Sequence, residues 1–158
     1  MRNKNSMIKE QTGNLFEHLV DGCVIPHCVN NHSPGQWGSG FVLQIDKYLG
    51  AQPKKDYVGW SKNKLIGLGS TRFSTLRNKE ITVAHMWAQH ETIREAYKPV
   101  RYAALVKCME KVDKYCKTYD KTIIAPRFCS GLAGGNWDFI KELIDEIWCD
   151  LDVTIFSL

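Results

Sequence analysis

The sequence predicts a three-layer α/β fold around a central sheet that is mixed or mainly parallel. Strand-length apolar runs alternate with helix-period segments through most of the 158 residues. Two of those runs end in glycine-bearing loops that lead straight into helical patterns. With 44% hydrophobic and 24% charged residues, the chain can bury one core without staples or metal, and residues 1–158 are expected to form one domain.

The elements follow in order. "DGCVIPHCVN" is a mostly apolar run of strand length, and "SGFVLQIDKYLG" is a helix that begins directly after a glycine loop. "PKKDYVGWSKNKL" is the densest basic stretch and reads as a solvated helix face, with nucleic-acid contact as the other reading. "STRFSTLRNKEITVAHMWAQ" predicts two strands around a polar turn at Arg77 to Lys79. In "PVRYAALVKCMEKVDKYCKTYD" the residues Leu105, Cys108, Met109, Val112 and Cys116 form one stripe of a helix whose first turn suits Pro99. "KTIIAPRF" is another strand. In "NWDFIKELIDEIW" the stripe is Ile140, Leu143, Ile144 and Ile147, with Asn136 as the cap and Asp138 as a first-turn carboxylate. "LDVTIFSL" is the last strand, which makes a sheet of at least five.

Composition excludes several classes. Lysine plus arginine number 21 against 17 acids, a net charge of +4 that suits an anionic ligand but is too small to mark a sequence-specific nucleic-acid surface. No apolar run approaches the roughly 20 residues that span a bilayer, and "MRNKNSMIKE" lacks the apolar segment of a secretory signal. The expectation is a cytoplasmic protein without a membrane partner. The six cysteines are scattered without a compact framework, so free thiols are expected.

The two glycine loops are "HCVNNHSPGQWGSGF" and "RFCSGLAGGNW". In a parallel α/β sheet, loops leaving the carboxyl ends of strands share the edge where ligands bind. Each offers backbone N–H donors beside a helix N-terminus, which suits a phosphate or diphosphate. "GQWGSG" lacks the spacing of a dinucleotide fingerprint, and no G-x-x-x-x-G-K-[ST] string occurs.

Five stretches, "GNLFE", "IPHCVNNHSPGQWGSGFVLQI", "VAHMWAQH", "PVRYAALVKCMEKV" and "PRFCSGLAGGNWDFIKELI", resemble in order and spacing the macro domains of the ADP-ribose 1''-phosphate phosphatase branch. That branch shows I-x-H-x-x-N-x-x-G-x-W-G-x-G-F and P-R-I-G-x-G-L-A-G-G-x-W blocks. The resemblance implies an α/β/α sandwich with a six-stranded mixed sheet and an ADP-ribose cleft at its crest. It implies that Gly38, Ser39 and Gly40, with Ser130, Gly131, Leu132, Ala133 and Gly134, cradle the diphosphate and distal ribose. Asn30 matches the asparagine beside the distal ribose, Asn14 stands where an acid often meets the adenine amino group, and Phe156 where an aromatic ring can stack on adenine. Leu15, Asn31 and Trp37 complete the expected binding set. Three departures stand out: Asn14 for the commoner aspartate, a longer stretch between Asn30 and Gly35, and His85 for the asparagine of a V-A-N-M string.

His27 sits in an otherwise apolar run and is either a hydrogen-bonded core residue or, by the resemblance, the group that moves a proton while Asn30 positions the ribose or water. His32 and His85 are the other imidazoles considered. Cys23, His27, Cys28 and His32 are legitimate zinc ligands, but alternation along a strand sends Cys28 away from Cys23 and His27. Cys129 reads as a small buried residue before a nucleophile. Trp37 and Trp137 read as wedges of their loops. Ala133 occupies the place after G-L where one macro domain group carries catalytic residues, which disfavours a lysine-dependent mechanism. The expected function is ADP-ribose binding with hydrolysis of ADP-ribose 1''-phosphate, needing no cofactor and no metal. The alternatives are an ADP-ribosyl hydrolase acting on modified protein or nucleic acid, and a reader without chemistry.

Overall fold

The computed structural model describes residues 8–32, 35, 37–38, 40–76, 80–90 and 98–157. Strands β1 (Lys9–Thr12), β2 (Cys23–Asn30), β3 (Thr71–Leu76), β4 (Ile81–Gln89), β5 (Thr122–Pro126) and β6 (Val153–Ser157) form one sheet in the order β1-β6-β5-β2-β4-β3. Only β3 is antiparallel to its neighbour, so the sheet is mixed. The expected turn at Arg77 to Lys79 lies outside the described residues.

Helices α1 (Phe41–Leu49) and α2 (Gln52–Ser61) cover one face, where Ile45 and Tyr57 pack with Val29, Val83 and Trp87. Helices α3 (Tyr102–Tyr119) and α4 (Trp137–Ile147) cover the other, where Leu105, Met109, Ile140 and Ile144 meet Val24, Met86, Ala125 and Ile155. With helices on both faces, the middle strands have no solvated side, and every residue of β4 from Ile81 to Ala88 is buried. This is why β2 and β4 read as unbroken apolar runs in the sequence.

The predicted helix stripes are the buried faces of α3 and α4, apart from Ile147, which is partly buried against the same core. Asn136 caps α4, its side chain accepting from the Phe139 N–H at 3.1 Å, and Asp138 lies in the first turn. Three details differ from expectation. Helix α3 starts at Tyr102 after Arg101, so Pro99 stands outside it: the carbonyls of Pro99 and Ala88 accept bridging bonds from His90 and Arg101 and keep the segment extended. Trp137 is the first residue of α4 rather than part of the loop. Strand β1 was not foreseen, because Lys9, Glu10, Gln11 and Thr12 are all exposed and only parallel pairing with β6 makes them a strand. Among the described residues, no helix is long and apolar enough to cross a membrane.

Candidate functional site

Parallel neighbours β2 and β5 end on the same edge of the sheet, and each is followed by one of the glycine loops. Between the loops lies a cleft of about 680 Å³, lined by His27, Cys28, Asn30, Gly38 and Gly40 from the first strand and loop and by Arg127, Cys129, Gly131, Leu132 and Ala133 from the second. A Cβ built on Gly40 would stand 4.0 Å from the Leu132 side chain, so the loops meet across it. Gly40 precedes α1 with φ +76°, a left-handed conformation that favours glycine.

Trp37 is buried beneath the first loop, its Nε1 donating to both Asp46 carboxylate oxygens at 3.0 and 3.1 Å. It therefore pins the loop to α1, as a wedge should. Asn30 is oriented by two neighbours: its Oδ1 accepts from the His32 N–H at 2.9 Å, and the hydroxyl of buried Tyr57 donates to its carbonyl at 3.1 Å. In the second loop, Ser130 Oγ donates to the Arg127 carbonyl at 2.7 Å. Gly135 donates its N–H to the Cys129 carbonyl at 2.8 Å, and an added Cβ would run into that same carbonyl, so no larger residue fits.

The cysteines correct the expectation of six free thiols. Cys28 and Cys129 are disulfide-bonded, with Cα atoms 5.7 Å apart across a sequence separation of 101. The reason is topological: β2 and β5 are adjacent in space though distant in sequence, and Cys28 sits at the end of one strand while Cys129 follows the end of the other. Cys129 accordingly is not a lone buried thiol under the loop. It adopts φ +62°, a left-handed angle unusual for a side-chain-bearing residue, at the place where the family block has glycine. Cys23, Cys108 and Cys116 are buried free thiols, and burial pushes Cys116 up to about 12. Among the described residues, no group of three or more histidine, cysteine or acidic side chains could hold a metal.

His27 is only 2% exposed and is one of the residues that line the cleft. Its Nε2 lies 2.8 Å from Nδ1 of His85 on the neighbouring strand, and His85 Nε2 lies 2.8 Å from Ser74 Oγ on the next. The rings of Trp37, Tyr57, Trp60 and Trp87 surround His85. Burial in this apolar shell holds His27 down at about 3 and His85 well below its ordinary value. At neutral pH both imidazoles are therefore uncharged. A group this weakly basic is poorly matched to the proton transfer expected of His27.

The expected site residues divide into two groups. His27, Asn30, Trp37, Gly38, Gly40, Gly131, Leu132 and Ala133 come together around the cleft. Asn31 is not among the residues that line it, and its Nδ2 lies 3.1 Å from His90 Nδ1. Ser39 lies outside the described residues. Gly134, also left-handed at φ +76°, faces Lys98 rather than the cleft. Asn14 caps the 3₁₀ turn Leu15–Glu17 through Phe16 and donates to the Tyr48 hydroxyl at 2.9 Å, while Leu15 is buried in the core. Phe156 is buried too, with the His18 ring stacked on it at 4.9 Å, so His18 is the ring it offers outward. Sequence reasoning missed Gln89, Arg127 and the disulfide as parts of the cleft. Gln89 and Arg127 directly follow or end predicted strands, and that position was the available signal.

No family model matches the sequence. Among solved structures, a Bacteroides thetaiotaomicron protein of unknown function is 30% identical with a TM-score of 0.83, over 98% of this chain and 100% of that one. A macrodomain protein from Streptomyces coelicolor is 27% identical with a TM-score of 0.78, over 96% of this chain and 99% of that one. Thermosipho africanus DarTG, solved in complex with ADP-ribose, is 11% identical with a TM-score of 0.76, over 98% of this chain and 42% of that one. The six-stranded mixed sheet with four helices matches the fold of these neighbours, and the chain has the macro domain fold.

Proposed function

We propose that the cleft binds ADP-ribose, with the diphosphate and distal ribose between the two glycine loops, and that the protein hydrolyses ADP-ribose 1''-phosphate to ADP-ribose and phosphate. The observation that carries this reading is the meeting of both loops around one cleft of about 680 Å³, a size suited to a nucleotide-like ligand. The ADP-ribose bound to the Thermosipho neighbour supports the ligand class. Within this reading Asn30, held by Tyr57 and by its own turn, positions the distal ribose or the attacking water. Arg127 lines the cleft and supplies positive charge for a phosphate group. His27 stays neutral, so within this reading proton transfer falls to His32, whose backbone N–H holds the Asn30 side chain.

That neutrality favours a second reading, an ADP-ribose reader without chemistry. Titration calorimetry with ADP-ribose should give micromolar affinity, about −7 to −8 kcal/mol, with AMP far weaker. Absence of heat with ADP-ribose removes the binding reading. Phosphate release from ADP-ribose 1''-phosphate above the no-enzyme rate supports the hydrolase, and binding without release supports the reader.

A further inference from the structure

His85 has no assigned part in the site, yet it links the cleft to the second strand beyond it. Ser74, His85 and His27, on β3, β4 and β2, form one buried chain with two contacts of 2.8 Å. His27 Nε2 is turned to His85, and His27 Nδ1 has no hydrogen-bond partner among the described residues. Buried polar atoms are nearly always satisfied, so an orphan on a residue that lines a cleft invites a partner from a ligand in that cleft.

The direction of the chain follows from counting donors. A hydroxyl has one hydrogen, and a neutral imidazole has one N–H and one bare nitrogen. If Ser74 donates to His85 Nε2, His85 must carry its hydrogen on Nδ1 and donate it to His27 Nε2, and His27 then carries its own on Nδ1. One group, that N–H, is left over. In the reverse direction His27 donates to His85 and His85 to Ser74. This strands both the Ser74 hydrogen and the bare His27 Nδ1, leaving two buried orphans instead of one.

We propose that Ser74 and His85 are positioning residues that fix His27 in its Nδ1–H tautomer, so that the cleft presents a neutral ring N–H donor to an oxygen of the ligand, on the distal ribose or the diphosphate. This rests on the ADP-ribose reading of the cleft. His27 here contributes a hydrogen bond and transfers no proton.

The geometry names its own control. In asparagine the amide nitrogen hangs from Cγ, as Nδ1 does in histidine, so His85→Asn can place an N–H donor where His85 Nδ1 stands. His85→Leu cannot.

The test begins with ¹⁵N correlation spectra of the wild-type protein at pH 7, which distinguish the two neutral tautomers from each other and from the cation. His27 is expected as Nδ1–H, with that nitrogen shifting when ADP-ribose is added. An Nε2–H tautomer, a cationic ring, or an Nδ1 signal unmoved by bound ADP-ribose overturns the proposal. This part needs no variant to fold. By calorimetry, His85→Leu should bind ADP-ribose roughly ten-fold more weakly, the loss of about one hydrogen bond. His85→Asn should recover affinity to within about three-fold. Equal affinities for both variants, each confirmed folded by circular dichroism, overturn it. A loss seen for ADP-ribose but not ADP assigns the acceptor to the distal ribose, whereas an equal loss assigns it to the diphosphate. Wild-type protein that binds no ADP-ribose overturns the ligand contact and the function together, while the tautomer is still read directly.

Discussion

Two imidazoles kept uncharged in an aromatic shell make the folded state sensitive to acid. An unfolded chain takes up protons on both near pH 6.5, whereas the folded chain holds His27 down at about 3 and His85 well below its ordinary value. The stability they permit is therefore complete above pH 6.5 and declines as the pH falls toward 3. The slope should approach about 2.7 kcal/mol per pH unit, from two groups at about 1.4 each. Urea midpoints between pH 7.5 and 4.5 measure it, and His85→Asn should roughly halve the slope. A second residue-scale contrast separates two glycines of one loop. Gly131 lines the cleft with open space around it, so Gly131→Val should weaken ADP-ribose binding by at least about ten-fold while changing stability by under about 1 kcal/mol. Gly134 has φ +76°, so Gly134→Val should cost about 1–3 kcal/mol in stability by denaturant titration.

At the scale of elements, α4 carries the second loop into its start. Asn136 accepts from the Phe139 N–H, and its own N–H donates to the Tyr102 hydroxyl at 2.8 Å, so the cap fastens α4 to α3. Asn136→Ala removes only the side-chain bond and should cost about 1 kcal/mol, read as a lower unfolding midpoint. Cap and stripe were both legible in the sequence, because a helix writes its buried face at intervals of three and four residues. The middle strands were legible as apolar runs, and the two loops as glycine clusters after them. Strand β1 was not, since Lys9 to Thr12 bury nothing and their pairing with β6 leaves no trace in composition. The site was legible where it depends on short spacing, as at Asn30, Gly38 and Gly131. It was illegible where it depends on which strands become neighbours. The Cys28–Cys129 bond and the approach of His85 to His27 come from the order β5-β2-β4, which no local pattern encodes.

For the molecule as a whole, that disulfide is a covalent tie between residues 101 positions apart. In the loop-entropy account, a bridge across about 100 residues restricts the unfolded chain by about 4–5 kcal/mol. Denaturant midpoints with and without a dithiol reductant should differ in that direction, and Cys28→Ser with Cys129→Ser should reproduce the reduced protein without it. The same bond changes what kind of object the chain is. From Cys28 to Cys129 the polypeptide is a closed ring that contains α1, α2, β3, β4, α3 and β5, while β1 leaves it as one tail and α4 with β6 as the other. A single proteolytic cut anywhere inside the ring leaves one covalent molecule, which stays one band on a non-reducing gel and becomes two once the bridge is opened. A cut in either tail releases a fragment at once.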